Sequence, residues 1–330
     1  MLRFFSLALI VLSLMGFVFE NAWASCGSAS CPLNNHRHLK SGWLHVGLVR
    51  EYINQDQIYI GSQKSFVGAI QHHHDEVQTI NERSIVQLQA GLTDRAQLNV
   101  EIPFVTRQHS HIHHHHDEDL WESWSFNALG DIVLGGQYAL FLPGSEFAPY
   151  VSILVGVKLP TGLTNVRNAE GEAAEVSIQP GSGSTDGIIG LQYRQTVVSI
   201  PTISGEYSSL PVEAAVTYQF NGAGTNGWRF GNILLAHAGT SYQFSQRASL
   251  LLQVNGRIQA FADPGSTGEP LENTGGTWIF ASPGLSVQLI DAILGFVFIQ
   301  IPVYRNVHGI QQTSAFNLQV GLSAKIGLLE

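Results

Sequence analysis

The sequence predicts an all-β chain that folds as an antiparallel up-and-down transmembrane β-barrel of about twelve strands. Three observations predict it: alternation of apolar and polar residues, few charges, and connections that alternate between short and long. Only 12% of the 330 residues are charged, about half the usual share for a soluble protein. Beyond the N-terminal region no apolar run reaches the roughly 18 residues of a transmembrane helix, so the apolar content indicates another way of spanning a membrane.

Alternation with a period of two residues is the strongest signal. Apolar side chains occupy every second position from Phe316 to Leu328, and a similar pattern runs from Leu250 to Ala260. This period is that of a strand with one apolar face, and a tilted strand needs about 9–11 residues to cross a membrane. The predicted strands are residues 42–54, 84–93, 95–107, 129–142, 147–160, 186–198, 211–221, 230–244, 247–262, 276–290, 291–304 and 315–328.

The lengths of the connections give the barrel an orientation. Short links such as 92–95 and 289–292 alternate with long ones, although the link 199–210 is longer than its place in the series predicts. Short periplasmic turns and long outer loops are typical of bacterial outer-membrane barrels, so we expect outer-membrane lipid and the barrel assembly machinery as partners. The predicted long outer loops are 55–83, 108–128, 161–185, 221–229, 263–275 and 305–314.

The N-terminal region reads as an export signal. Arg3 precedes an apolar stretch that ends near Phe19, and Ala22-Trp23-Ala24 gives the small-x-small pattern of a cleavage site. We expect a signal peptide over 1–24, a periplasmic segment over 25–41 and the barrel over 42–330. In an oxidising compartment, Cys26 and Cys31 of that segment favour a small disulfide loop.

The charge balance and the motifs exclude some functions. The net charge is −9, so an exported acidic chain is not expected to bind nucleic acid. The sequence has no G-x-S-x-G nucleophile motif, and we expect no catalytic residues and no enzyme activity.

Histidines and acids are concentrated in two short tracts, residues 71–76 and 107–119, which contain nine of the 14 histidines. By the strand count the tracts belong to the first and second long loops, and a hairpin would bring them together on the outer face. The candidate metal ligands are His72, His73, His74, Asp75, Glu76, His109, His111, His113, His114, His115, His116, Asp117 and Glu118.

Neutral imidazoles mixed with carboxylates suit Zn²⁺, Ni²⁺, Cu²⁺ or Co²⁺, and we expect no organic cofactor. If the second tract continues as strand, His109, His111 and His113 would lie on one face. A solvated polar surface and a pH-sensing cluster remain alternatives for these tracts.

Alternation also predicts which polar residues face the lumen. Both signs of charge occur among them, so salt-bridged packing of the lumen competes with an open pore. The charged and titratable residues expected to face inward include Lys158, Arg194, Glu213, His237 and Arg257.

Several phrases resemble the MetA-pathway of phenol degradation family of outer-membrane barrels. They include Leu129-Gly130-Asp131-Ile132, Val157-Lys158-Leu159-Pro160-Thr161-Gly162 and residues 52–57, 91–95, 102–105, 179–186 and 282–285. The resemblance covers most of the mature chain and extends more distantly to the long-chain fatty-acid uptake barrels. It implies a transporter-like barrel for aromatic or other small organic compounds, and it assigns no binding residues.

The histidine tracts favour an outer-membrane channel or receptor that binds divalent transition metal at its outer loops and admits it to the periplasm. A channel for small organic or aromatic compounds is the second hypothesis, and a metal-binding surface protein without transport is the third. An apolar path through the lumen would favour the second, and a lumen blocked by side chains would favour the third.

Overall fold

The computed structural model describes residues 39–69, 74–115, 118–145, 147–203, 205, 207–266 and 272–328. The predicted signal peptide, both cysteines and His72, His73, His116 and Asp117 lie outside these ranges. None of the helical turns within them has the length and hydrophobicity that a membrane-spanning helix requires.

Strands make up most of the described chain, with two short 3-10 turns at Val176–Ile178 and Thr225–Gly227. The strands are β1 (Trp43–Ile60), β2 (Gln63–Lys64), β3 (His74–Gly91), β4 (Ala96–His115), β5 (Glu118–Leu129), β6 (Val133–Phe141), β7 (Tyr150–Lys158), β8 (Asp186–Pro201), β9 (Tyr207–Phe220), β10 (Ile233–Ser245), β11 (Ala248–Gln259), β12 (Gly276–Ile290), β13 (Ile293–Val307) and β14 (Ile310–Gly327).

Antiparallel pairing of successive strands closes the sheet into a barrel. β14 pairs with β1 from Trp43 opposite Gly327 to Ile60 opposite Ile310. β5 pairs with the second half of β4 and β6 with its first half, so these two segments together fill one position in the wall. With β2 as a short addition to β1, the wall has twelve positions, which confirms the predicted barrel and its strand number.

An apolar belt covers the outside of the barrel. On β11 the side chains of Leu250, Leu252 and Val254 are half exposed, whereas Leu251 and Gln253 between them are buried. The same alternation runs around the wall, because one face of each strand meets lipid and the other meets the interior.

Part of the wall continues beyond this belt at the end that carries the long connections, which we call the mouth. Most of the outward side chains described there are polar, for example Ser84 on β3, Thr106 on β4 and Ser125 on β5, with Trp121 as an exposed exception. We call residues 74–84, 106–115 and 118–127 the projecting wall. The prediction of loops over 55–83 and 108–128 is therefore wrong for most of their length. The strands continue, but with polar residues on both faces they lose the apolar alternation that identifies a strand.

The connection 159–185 between β7 and β8 packs into the mouth, and we call it the cover loop. Its buried Ala174 and Ile178 pack against the inward-facing Trp124 of β5. Its Val176 packs against Trp228, which lies in the connection between β9 and β10. Because β5 and β9 flank β7 and β8 on either side, the cover loop packs on the inner face of both neighbouring parts of the wall.

Deeper in the barrel an apolar cluster crosses the lumen. Val49 on β1 and Ile85 on β3 pack with Leu251 on β11 and with Phe296 and Phe298 on β13. β3 and β11 are five positions apart around the wall. We call this cluster the lumen constriction.

Two glycines make room for the phenylalanine rings of the lumen constriction. A Cβ atom on Gly284 or Gly321 would overlap the ring of Phe298 or Phe296, respectively. Absence of a side chain at these two inward positions lets each ring lie over the neighbouring strand.

Candidate functional site: the histidine wall and the anchor of the cover loop

Three histidines of β4 lie on the inner face of the projecting wall. Residues of one strand alternate between faces, so His109, His111 and His113 project to the same side, as their spacing predicts. His109 and His111 are buried, whereas the side chain of His113 is 42% exposed. The second histidine tract, up to His115, therefore lies on a strand rather than in the loop we expected.

Glu122 on β5 joins two of these imidazoles. Its carboxylate accepts from His111 Nε2 at 2.8 Å and from His113 Nδ1 at 3.2 Å. Partial burial opposes ionisation of Glu122, but the hydrogen bonds from His111 and His113 outweigh it, and the pKa of this carboxyl lies below its ordinary value. Glu122 is thus an ionised acceptor that fixes the orientation of the His111 ring.

His109 contacts three polar neighbours. Its Nδ1 lies 2.8 Å from Thr79 Oγ1, and its Nε2 lies 3.3 Å from His111 Nδ1 and 3.5 Å from Glu76 Oε2. Glu76 reaches this position from β3, where a β-bulge follows it. We call His109, His111, His113, Glu76 and Glu122 the histidine cluster.

Trp124 connects the histidine cluster to the cover loop. Its ring centroid lies 5.0 Å from that of His111 and 5.9 Å from that of His109. Its indole Nε1 donates to the Glu172 carbonyl at 3.2 Å, while its ring packs on Ala174 and Ile178. Trp124 therefore contacts both the histidine cluster and the cover loop, so a change in the cluster would act directly on a residue that holds the loop.

The other predicted ligands are only partly placed. Asp75 is buried on β3, and His74 lies opposite His113 in the β3–β4 register. His114, His115 and Glu118 belong to strands β4 and β5. Among the residues described, no three His, Cys, Asp or Glu side chains are already arranged around a point that a metal ion could occupy.

A second polar group lies at the base of the cover loop. Lys158 Nζ lies 2.6 Å from Asp186 Oδ2 and 3.3 Å from Asp131 Oδ2, and all three side chains are almost fully buried. The ammonium also donates to Ser182 Oγ at 2.5 Å and to Ser184 Oγ at 3.3 Å. We call these five residues the anchor network.

The two carboxylates of the anchor network hold the ends of the cover loop. Asp131 accepts from the backbone of Gly162 at 3.0 Å and of Ser182 at 2.9 Å. Asp186 accepts from the backbone of Gly222 at 3.0 Å and so ties in the next connection at the mouth. Three of the phrases that carry the family resemblance, 129–132, 157–162 and 179–186, thus meet in one structural unit.

Sequence reasoning placed Lys158 at the lumen but missed its partners Asp131 and Asp186. They are distant in sequence, and the order of the resembling phrases was the one signal that could have linked them.

The remaining residues expected at the lumen lie on inward faces. Arg194 Nε lies 3.2 Å from Glu213 Oε1, and Arg257 donates to Gln259 Oε1 at 2.7 Å. His237 is partly buried on the face of β10 that it shares with the buried Ile233. Charges on the inner wall thus occur in pairs and hydrogen-bonded groups, as the salt-bridged alternative requires.

Comparison with known proteins shows which kind of fold the chain has. No protein-family model and no curated protein matches the chain. An outer membrane channel from Pseudomonas putida F1 superposes with a TM-score of 0.60 at 12% identity, covering 91% of this chain and 100% of the channel. The NanC porin (TM-score 0.46, 10% identity, 85% and 100% covered) and the toluene transporter TbuX of Ralstonia pickettii (0.46, 8%, 92% and 96%) are more distant. The first comparison and the apolar belt confirm the predicted fold, and the chain is an outer-membrane β-barrel of the Gram-negative type.

Proposed function

We propose that this protein is an outer-membrane channel for small organic solutes, in particular apolar and aromatic ones. The observation that carries the proposal is a series of apolar clusters inside the barrel. Two line the cover loop at the mouth, around Trp124 and Trp228, and the lumen constriction lies deeper. A further cluster of Trp278, Phe280 and Val307 lies on β12 and β13.

Such clusters favour apolar solutes over polar ones. An aromatic ring that buries about 150 Å² of apolar surface, the low end for an aromatic side chain, is stabilised by about 4 kcal/mol. A sugar of similar size would instead lose hydrogen bonds to water in the same surroundings. Because these side chains meet across the lumen, passage would require them to move apart, and the lumen constriction would then select solutes by polarity.

One structural comparison and one resemblance in sequence support this proposal. The fold is shared with a protein described as an outer membrane channel, and the resemblance to the phenol-degradation family implies small aromatic compounds. Insertion into the membrane would depend on the barrel assembly machinery, as for other barrels of this type.

The interior supports organic solutes better than the metal uptake that the histidine tracts favour. The histidine cluster lies above the apolar belt, at the mouth. The next apolar cluster inward includes Val49, Ile85 and Leu251, which offer no ligand to a metal ion. The histidines are therefore better treated as a binding site than as a transport path.

Uptake by whole cells tests the proposal, because the lipopolysaccharide layer keeps direct entry of the solute low. We expect faster uptake of a labelled monoaromatic hydrocarbon in cells that make the protein. Ile85→Thr, which puts a hydroxyl into the lumen constriction, should lower this uptake about tenfold, the low end for a one-group change in an apolar site.

The matched control is Ile203→Thr, the same change at a residue that is exposed in a short turn. It should leave uptake unchanged. Equal uptake in wild type and in the Ile85→Thr variant, at equal amounts of folded protein, would contradict the proposal.

A further inference from the structure

We propose that His109, His111 and Glu76 form a binding site for a divalent transition-metal ion on the inner face of the projecting wall. Glu122 is the positioning residue of this site. The proposal is independent of the solute that the channel carries, and it narrows thirteen candidate ligands to three.

Distances between the donor atoms carry the proposal. Metal–ligand bonds of about 2.0–2.1 Å in tetrahedral geometry place neighbouring ligand atoms about 3.3–3.4 Å apart. His109 Nε2 and His111 Nδ1 are 3.3 Å apart, and His109 Nε2 and Glu76 Oε2 are 3.5 Å apart. These separations already match two edges of a tetrahedral site.

Hydrogen bonds at the far side of each ring permit the required tautomers. The Glu122 carboxylate accepts from His111 Nε2–H, which leaves the lone pair of Nδ1 directed toward His109. Thr79 Oγ1 can accept from His109 Nδ1–H, which leaves the lone pair of Nε2 for a metal. A carboxylate that orients a metal-binding histidine is the usual arrangement around such ions.

Binding requires a small adjustment. With His111 Nε2–H donated to Glu122, the hydrogen bond between the two rings requires the proton on His109 Nε2, and binding would move it to His109 Nδ1, facing Thr79. The Glu76 side chain is 24% exposed and precedes a β-bulge, so it can turn toward the ion. Two imidazoles and one carboxylate suit Zn²⁺, Co²⁺, Ni²⁺ or Cu²⁺ rather than Mg²⁺ or Ca²⁺.

Quenching of tryptophan fluorescence by Cu²⁺ or Ni²⁺ in the purified full-length barrel tests the site. The Trp124 ring lies 5.0 Å from that of His111, so an ion at the site should quench it. We expect saturable binding of one ion with this signal in the wild type, and loss of the signal, with binding kept in calorimetry, in Trp124→Phe.

Variants separate this site from the neighbouring run of histidines. We expect His111→Asn and Glu76→Gln to weaken binding at least about 100-fold, and Glu122→Gln about 10–100-fold. The control, in which His114, His115 and His116 are all replaced by Ser, should keep the tight site.

Folding is checked by the migration of the unheated barrel on a gel. Glu76→Gln changes a partly exposed side chain and keeps the test valid if His111→Asn does not fold. Loss of tight binding in the triple control, or unchanged binding in Glu76→Gln, overturns the proposal. Unchanged affinity in Glu122→Gln overturns the positioning role.

Discussion

Replacement of Lys158 by Met tests the anchor network at the base of the cover loop. Met keeps the volume of the side chain but leaves Asp131 and Asp186 without the ammonium that lies 3.3 Å and 2.6 Å away. Removing one partner of a buried ion pair costs about 3–5 kcal/mol. Both carboxylates keep backbone hydrogen bonds, from Gly162 and Gly222 among others. We therefore expect the low end of that range, about 3 kcal/mol.

Hydrogen exchange of backbone amides shows which segments open more readily when this stabilisation is lost. Because the anchor network ties down the cover loop, the loss should favour local opening of residues 174–184 over opening of the wall. About 3 kcal/mol corresponds to roughly 100-fold faster exchange there. A second change, Asp186→Asn in the Lys158→Met background, removes one uncompensated charge and should restore part of the protection.

The Arg194–Glu213 pair provides the matched control. Its atoms are 3.2 Å apart, but the Arg194 side chain is 37% exposed. Solvent screening keeps such pairs below about 1 kcal/mol, so Arg194→Met should change exchange little. Unchanged exchange of 174–184 in Lys158→Met, or an equal increase over all strands, would refute the anchoring role.

Three further changes test the packing of the barrel. Gly284→Ala places a Cβ on the Phe298 ring and should destabilise the fold by about 1–3 kcal/mol. Gly256→Ala should not, because the atom nearest to its added Cβ is 3.7 Å away. Urea unfolding from vesicles measures both variants, and equal stability contradicts the packing of the ring. Trp124→Ala removes the contact of the cover loop with β5 and should cost about 3–5 kcal/mol, read as faster exchange of 174–178; unchanged exchange would argue against that contact. Leu252→Arg puts a charge on the lipid face and should cost about 2–4 kcal/mol in the same unfolding assay; no loss would mean that β11 is inverted.

The sequence predicts the wall of the barrel well, because lipid on one side of each strand forces an apolar residue at every second position. β12, for example, has the predicted bounds 276–290. The prediction fails where the strands leave the membrane. On β4, Gln108 and Ser110 alternate with His109 and His111, and a pattern of polar residues on both faces resembles that of a loop.

The candidate site is predictable in part. The spacing of His109, His111 and His113 predicts a shared face, but their partner Glu122 lies on β5, a strand hidden in a predicted loop. Trp124 is missed for the same reason. Contacts that join β5 to the cover loop are tertiary, and no local pattern in one sequence reports them.

The central claim, selective passage of apolar solutes, is tested most directly by comparing two labelled solutes of equal size in the same cells. One is a monoaromatic hydrocarbon and the other a polyol, and initial uptake rates are measured with and without the protein. The apolar clusters along the interior predict that the protein raises the rate for the aromatic solute and leaves that for the polyol nearly unchanged. An equal increase for both solutes, or an increase for the polyol alone, would contradict it.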